Sequence, residues 1–172
     1  AIHTNGTFKS NKVTEVVTTI TCRWVYDIKR NKDGTIAKFK ARLVVHGFKQ
    51  VAGIDFNKTF SSTTQIRSFR MILALSTELG LNVEQYDISN AFLNGFLEEP
   101  VFMEYPPGYG PKDKGRVVQL IKALYGLKQA SRVWQETLYA CLAKLDLVPC
   151  KTESGVLHCR STDGSICIVF AY

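Results

Sequence analysis

A carboxylate stands where a strand-like stretch gives way to a turn. In VEQYDISNAFLNG (83–95) an extended pattern ends on Asp87, a small polar pair follows, and an aromatic residue, Phe92, comes five positions after the carboxylate. Carboxylate oxygens are the ligands that Mg²⁺ prefers, and the end of a strand holds a side chain in a fixed position. Asp87 is therefore suited to bind a cation; the alternative is that it only caps the turn at 89–95.

Three basic residues alternate along AKFKARLVVHGFKQ (37–50), which we predict to be a strand. Side chains two residues apart on a strand point to the same face, so Lys38, Lys40 and Arg42 would share one cationic face. A guanidinium binds phosphate oxygens in a bidentate fork, and an ammonium binds them as a point charge. The pattern is suited to a triphosphate; the alternative is a solvated face of a hairpin.

The positive charge is concentrated in the first part of the chain. Residues 1–50 contain ten Lys/Arg and three Asp/Glu, whereas residues 51–172 contain twelve of each, which together give the net charge of +7. This asymmetry favours an anionic partner, such as a nucleic acid or a triphosphate, that approaches from one side. With 45% hydrophobic and 22% charged residues, the composition is that of a globular domain.

Several other function classes find no support. No apolar run reaches the roughly 18–20 residues of a membrane span, and the N-terminus lacks the apolar core of a signal peptide. We therefore expect an intracellular protein, cytoplasmic or nuclear, with no membrane partner. The five cysteines form no C-x-x-C pair, and we expect buried reduced thiols, with a metal held by Cys150, His158 and Cys159 as the alternative.

The predicted elements mix strands and helices without regular βαβ repetition, which is typical of an α+β fold with an antiparallel sheet backed by helices. We expect residues 1–12 to be loose and residues 13–172 to form one domain. The two predicted helices cover 66–80, capped within SSTT (61–64), and 131–147, capped by Ser131. The predicted strands are 13–28, 37–50, 82–88, 99–105 and 116–122, followed by a hairpin of 155–161 and 166–172.

Three segments, in this order along the chain, resemble the reverse transcriptase of Ty1/copia-type retrotransposons: FKARLVVHGFKQ, VEQYDISNAFLNGFLEEPVFMEYPPGYG and VVQLIKALYGLKQASRVWQETL. The resemblance covers residues 22 to 172. It implies the fingers and part of the palm of an RNA-directed DNA polymerase, which joins a 3′-hydroxyl to the α-phosphate of a dNTP with two Mg²⁺ ions. The implied partners are an RNA or DNA template-primer and a dNTP.

The resemblance also assigns roles at the metal and the sugar. Asp87 corresponds to the first metal-binding, catalytic aspartate, and the Ile88 carbonyl to a second metal ligand. Phe92 corresponds to the aromatic ring that packs under the sugar of the incoming nucleotide and excludes a 2′-hydroxyl. The alternative for Phe92 is an ordinary core position.

Further roles concern phosphates and the base. The resemblance assigns Arg42 and Lys40 to the triphosphate of the nucleotide, and Gln129 to the region near its sugar and base. Lys38, Lys40 and Arg132 are the implied contacts to template or primer phosphates. Two stretches depart from the family pattern, FSSTT (60–64) and SGVLH (154–158), and they put local geometry rather than the fold in question.

The strongest departure concerns the second carboxylate pair of the family, which lies in a Tyr-Val-Asp-Asp turn. ICIVFAY (166–172) resembles the strand that leads into this turn, and the two aspartates do not follow it here. We therefore expect a palm that is incomplete, a Mg²⁺ site that is at most partly formed, and no catalysis by this chain alone. We also expect the apolar strand Ile166–Tyr172 to pair with a second copy or with a partner strand.

Two alternatives to a polymerase fragment stay open. The first is a non-catalytic, domesticated module that binds nucleic acid through the basic hairpin. The second is a remnant that keeps the fold and serves protein interaction.

Overall fold

The computed structural model describes residues 6–12, 18–109 and 116–171. In chain order the elements are strands β1 (Phe8–Lys12), β2 (Thr19–Ile20), β3 (Cys22–Arg30) and β4 (Ile36–Val45), helix α1 (Ile66–Glu78), strands β5 (Phe96–Met103) and β6 (Arg116–Lys122), helix α2 (Ala130–Ala143), and strands β7 (Val148–Pro149), β8 (Val156–Arg160) and β9 (Ile166–Phe170). The mixture of sheets with two helices is α+β, as the sequence predicts.

The chain divides into two compact units. Unit 1 consists of Ala1–Thr59 and Asn90–Trp134, and unit 2 consists of Phe60–Ser89 and Gln135–Tyr172. Each has its own sheet structure: unit 1 contains a four-stranded sheet and the β3–β4 hairpin, and unit 2 contains a three-stranded sheet. The predicted boundary between residues 12 and 13, with a single domain after it, stays a prediction.

The four-stranded sheet of unit 1 has the order β1-β6-β5-β2. β1 and β5 pair with β6 in antiparallel orientation, and β2 pairs with β5 in parallel. The sheet is therefore mixed, whereas the sequence predicts an antiparallel sheet. The core lies on this sheet and on the inner end of the hairpin, where Ile20, Val101, Met103 and Val118 are fully buried and Leu43 and Val45 nearly so.

The β3–β4 hairpin confirms the predicted basic hairpin and its turn. Gly34 has φ +86°, and the Asp33 carboxylate accepts hydrogen bonds from the amide of Thr35 at 2.9 Å and from its hydroxyl at 2.6 Å. Glycine adopts this left-handed conformation without a steric penalty, which is why Asp-Gly favours the turn. The inner end of the hairpin is buried at Leu43 and Val45, and its outer end is exposed.

Unit 2 contains helix α1 and the sheet β7-β8-β9. α1 ends at Glu78 and is terminated by Gly80, as predicted: the amide of Gly80 donates to the Thr77 carbonyl at 3.3 Å, and the amide of Leu81 donates to the Ser76 carbonyl at 2.8 Å. This pair of bonds is the Schellman arrangement, which needs the positive φ of 62° that Gly80 supplies. The predicted hairpin at 155–161 and 166–172 is present as β8 and β9.

Several predicted elements differ from the structure. Residues 8–12, expected to be loose, form β1 because all five pair with residues 116–120 of β6. Residues 82–88 form no strand, because no neighbouring strand in the described residues pairs with them. The predicted strand 13–28 is interrupted at Thr21 and serves two sheets as β2 and β3; its first five residues lie outside the described residues, as does Tyr172.

The predicted helix caps also differ from those in the structure. α1 is preceded by Gln65, which makes no side-chain cap bond, and Thr64 instead donates to the carbonyls of Gly155 and Ala171 at 2.8 and 2.9 Å. α2 already includes Ser131, because it begins one residue earlier, at Ala130. Within the described residues, no helix is both long enough and apolar enough to cross a membrane.

Candidate nucleic-acid interface

The basic face predicted on the hairpin is present. Lys38, Lys40 and Arg42 alternate along β4, and their partners across the ladder are Lys29, Asp27 and Val25. Directly opposed residues share a face, so Lys29 joins the three predicted cations. Sequence spacing alone does not place Lys29 on this face, because its assignment requires the register that the turn at residues 31–35 imposes.

Lys40 is repelled by its cationic neighbours on this face. The side-chain interaction with Lys29, then desolvation, and then the charges of Lys29 and Arg42 lower the pKa of Lys40, and the carboxylate of Asp27 partly opposes them. A cation with a lowered pKa is stabilised by an added anion, because the anion offsets the repulsion. The face is thus suited to bind phosphate groups; Lys29 and Lys38 are exposed, and Lys40 and Arg42 are half-buried.

The opposite face of the same hairpin is apolar and aromatic. Tyr26 and Phe39 are 74% and 71% exposed, and Ile28 is 46% exposed. Alternation along each strand places these residues on the side away from Lys40 and Arg42. The hairpin therefore presents cations on one side and aromatic rings on the other.

The hairpin and the YGLKQ segment (125–129) meet through their backbones. The amide of Val45 donates to the Tyr125 carbonyl at 2.8 Å. A Cβ atom on Gly126 would lie 2.1 Å from the Val45 carbonyl oxygen, and one on Gly47 would lie 2.0 Å from the Gly126 carbonyl oxygen. Real Cβ atoms do not approach backbone oxygens so closely, so glycine at both positions lets the two motifs pack together.

Phe92 lies beside this junction. Its ring is 4.9 Å from that of Tyr125 in an edge-on arrangement, and it is half-buried against the core of unit 1. The preceding Asn90 has φ 54°, which starts the compact 3-10 turn Ala91–Asn94. The compact turn predicted at 89–95 is thereby confirmed. The packing supports Phe92 as an ordinary core position, and its contact with a nucleotide sugar stays a prediction.

Gln129 lies in a buried network of amides. Its side chain is 2% exposed; its Oε1 accepts from the Gln50 amide at 2.9 Å, and its Nε2 donates to the Asp55 carbonyl at 2.8 Å. Gln50 in turn accepts from the Lys128 backbone amide at 2.8 Å. These bonds give Gln129 a structural role, and its contact with a nucleotide stays a prediction that requires part of this network to open.

Asp87 and Ile88 lie in unit 2, whereas the other six candidates lie in unit 1. Residues 82–90 are all exposed, and they have no regular secondary structure before the turn at Ser89 and Asn90. Asp87 is therefore an accessible carboxylate, not one fixed at the end of a strand as the sequence suggested. Arg132 is half-buried on the first turn of α2.

The described residues do not form a complete metal site. Among them, no group of three or more His, Cys, Asp or Glu side chains is placed to hold an ion. The alternative metal site at Cys150, His158 and Cys159 is thus not formed. The expectation of buried thiols is met only by Cys22, since Cys150 and Cys159 are half-buried and Cys141 and Cys167 are exposed.

The comparisons with known proteins agree with the motifs. The sequence profile described as "Reverse transcriptase (RNA-dependent DNA polymerase)" matches residues 5–172. The chain therefore belongs to the reverse transcriptase family. Its relatives are polyproteins of Ty1/copia-type retrotransposons, so within that family it is a copia-type sequence.

Three relatives illustrate the range of similarity. The chain is 36% identical over 173 residues to the retrovirus-related Pol polyprotein from transposon TNT 1-94 of Nicotiana tabacum, covering 100% of the chain and 13% of the relative. It is 41% identical over 141 residues to that of transposon RE1 of Arabidopsis thaliana, covering 81% and 10%. It is 32% identical over 120 residues to the transposon Ty1-BL Gag-Pol polyprotein of Saccharomyces cerevisiae, covering 70% and 7%.

The chain thus spans about a tenth of the length of these relatives, between 7% and 13%. No solved structure matches the chain significantly.

Proposed function

We propose that this chain is the part of an RNA-directed DNA polymerase that binds the incoming dNTP and the template-primer, in the manner of polymerase fingers with part of a palm. The cationic face of Lys29, Lys38, Lys40 and Arg42 carries this proposal. On this side of the hairpin Lys40 is repelled by Lys29 and Arg42, and a bound polyphosphate offsets that repulsion. Membership of the reverse transcriptase family supports nucleotide and nucleic acid as the source of the polyphosphate.

Five of the candidate residues have a role at the substrate in this proposal. The guanidinium of Arg42 binds phosphate oxygens of the dNTP, and Lys40 adds a point charge beside it. Lys38 and Arg132 contact phosphates of the template-primer. Phe92 limits the space at the sugar of the nucleotide.

The metal chemistry is proposed only in part. Asp87 and the carbonyl of Ile88 are oxygen ligands of the kind that Mg²⁺ takes. A two-metal site activates the attacking hydroxyl and stabilises the leaving phosphate, and it requires several carboxylates held together. Since the described residues gather no such group, we propose that the isolated chain binds its substrates without extending a primer.

Nucleotide binding tests the proposal directly. We expect Arg42→Ala to weaken dNTP binding by about tenfold or more, because hydrogen bonds to charged groups contribute about 1.5–3 kcal/mol. Lys58→Ala is the matched control, because Lys58 is an exposed cation of the same unit that lies outside the β3–β4 hairpin. Isothermal titration with a dNTP measures both. Equal affinity of the two variants would contradict the proposal.

A primer-extension assay tests the absence of catalysis. With a labelled template-primer, Mg²⁺ and all four dNTPs, the chain should add no nucleotide. Templated addition that is lost in Asp87→Ala would show that this chain completes a metal site in solution.

A non-catalytic nucleic-acid-binding module is the second candidate. The exposed rings of Tyr26 and Phe39 favour it, because exposed aromatic rings bind single strands by stacking on their bases. The variant Asp87→Ala distinguishes the two functions. If the chain is part of a polymerase, Mg²⁺ strengthens dNTP binding and Asp87→Ala removes that effect. If it is only a binding module, Asp87→Ala changes nothing, while charge reversal at Lys38, Lys40 and Arg42 weakens binding of a labelled duplex.

A further inference from the structure

Two cysteines of unit 2 lie directly opposite each other on neighbouring strands. Cys159 of β8 pairs with Cys167 of β9 in the antiparallel ladder. Directly opposed residues project from the same face of a sheet, so their thiols are neighbours. Cys167 is exposed and Cys159 is half-buried. A reagent in solution therefore reaches the Cys167 thiol, and the Cys159 thiol lies beside it.

The hydrogen-bonding register determines how a disulfide would fit. The Ser161 amide donates to the Ser165 carbonyl at 2.9 Å, and the Ala171 amide donates to the Gly155 carbonyl at 3.4 Å. Since bonded and non-bonded pairs alternate along an antiparallel ladder, Cys159 and Cys167 are a hydrogen-bonded pair, with Cα atoms about 5.5 Å apart. This separation lies within the range of about 4.4–6.8 Å that disulfides span.

The Cβ atoms fit less well than the Cα atoms. Opposed residues have Cβ atoms about 4.5–5.5 Å apart, and bonded pairs lie at the wider end. A disulfide requires about 3.5–4.5 Å. The strands must therefore approach slightly for the bond to form, and the resulting strain makes the bond easier to reduce.

We propose that Cys159 and Cys167 form a reversible thiol–disulfide site that reacts with small disulfides. The Cys167 thiolate attacks one sulfur of the small disulfide; a bond to Cys167 forms, and one small thiol leaves. The Cys159 thiolate then attacks the Cys167 sulfur and releases the second small thiol. The protein thiols lose two electrons, the small disulfide gains them, and the two thiol protons pass to the two products.

The other cysteines lack such a neighbour on the ladder. Cys150 has a lowered pKa because the side chain of Thr152 hydrogen-bonds to it, so it is the natural competitor for the small disulfide. Burial and then the adjacent Cys159 raise the pKa of Cys167. We therefore expect Cys150 to react sooner, but its mixed disulfide persists because no thiol opposes it on a ladder, whereas a mixed disulfide at Cys167 is resolved by Cys159.

Mass spectrometry after oxidation tests the proposal. The whole chain is incubated with oxidised glutathione, free thiols are trapped by alkylation, and the peptides are mapped without reduction. We expect an intramolecular link between Cys159 and Cys167, and its loss when excess reduced glutathione is added. The variant Cys159→Ser should instead retain glutathione on Cys167, while Cys141→Ser, which removes an exposed thiol of α2, should behave as wild type.

Two outcomes would overturn the proposal. One is persistent glutathione on Cys167 in the wild type at the level seen in Cys159→Ser, because the neighbouring thiol would then not resolve it. The other is a Cys159–Cys167 link that resists reduced glutathione, because the bond would then be structural. Near-identical circular dichroism of the variants establishes that both are folded.

Discussion

At the scale of single residues, the crowding of cations on the β3–β4 hairpin makes dNTP binding depend on pH. The pKa of Lys40 is lowered mainly by its interaction with Lys29, so Lys40 loses its proton at a lower pH than an ordinary lysine. Above about pH 8 the phosphates are fully ionised, and affinity should fall as Lys40 becomes neutral. Titrations over this range should show the fall in the wild type and not in Lys40→Arg, whose guanidinium stays charged.

The effect of Lys29 on the pKa of Lys40 provides an internal control for this pH dependence. Lys29→Gln removes the main cause of the lowered pKa, so the fall in affinity should move to higher pH. If wild type, Lys40→Arg and Lys29→Gln share one pH profile, the repulsion on this face has no effect on binding.

Gln129 has a structural role in a buried hydrogen-bond network and a predicted role in nucleotide contact. Replacing it with Ala leaves the Gln50 amide and the Asp55 carbonyl without a partner in a buried site, which costs about 1–3 kcal/mol of unfolding free energy. Urea denaturation measures this loss. A nucleotide-contact role alone predicts unchanged stability and weaker dNTP binding, so the two measurements distinguish the roles.

At the scale of elements, the two glycines at the junction of β4 and the YGLKQ segment should be far less tolerant than a turn glycine. Gly47→Ala places a Cβ atom on a backbone oxygen, and we expect a loss of about 3 kcal/mol, at the upper end of overpacking. Gly34→Ala meets no atom within 4 Å, so only its left-handed conformation is penalised, by about 1–2 kcal/mol. Thermal unfolding of both variants checks the order; equal losses would contradict the close approach.

The local elements were predictable from the sequence, and the long-range ones were not. The turns at Asp33-Gly34 and Asp163-Gly164 fix hairpins whose strands are neighbours in sequence, so composition alone locates them. The stretch 82–88 has the composition of a strand, but a strand requires a pairing partner, which composition does not reveal. β1 shows the reverse: a polar segment becomes a strand because β6 pairs with it.

At the scale of the whole molecule, the sequence identified the family and the basic face, because both depend on residue types at fixed spacing. It did not reveal that the glycines of two motifs touch or that Gln129 is buried, because these depend on segments distant in sequence. Lys40 and Arg42 lie on β4 and are candidates for phosphate binding. Gly47, two residues after the end of β4, instead allows close packing against the YGLKQ segment. A family motif therefore mixes contacts to ligands with contacts that hold its own segments together.

The sheet of unit 2 leads to a prediction about assembly. β9 lies at the edge of the order β7-β8-β9 among the described residues, and an apolar edge strand invites pairing with a second copy. We expect concentration-dependent dimers in light scattering coupled to sizing. In the alternating ladder, the amide of Ile168 points away from β8, so Ile168→Pro should abolish dimers without breaking the β8–β9 bonds. Val169→Pro, which removes an inward amide, should instead destabilise the unit, and a monomeric wild type at high concentration would contradict the edge pairing.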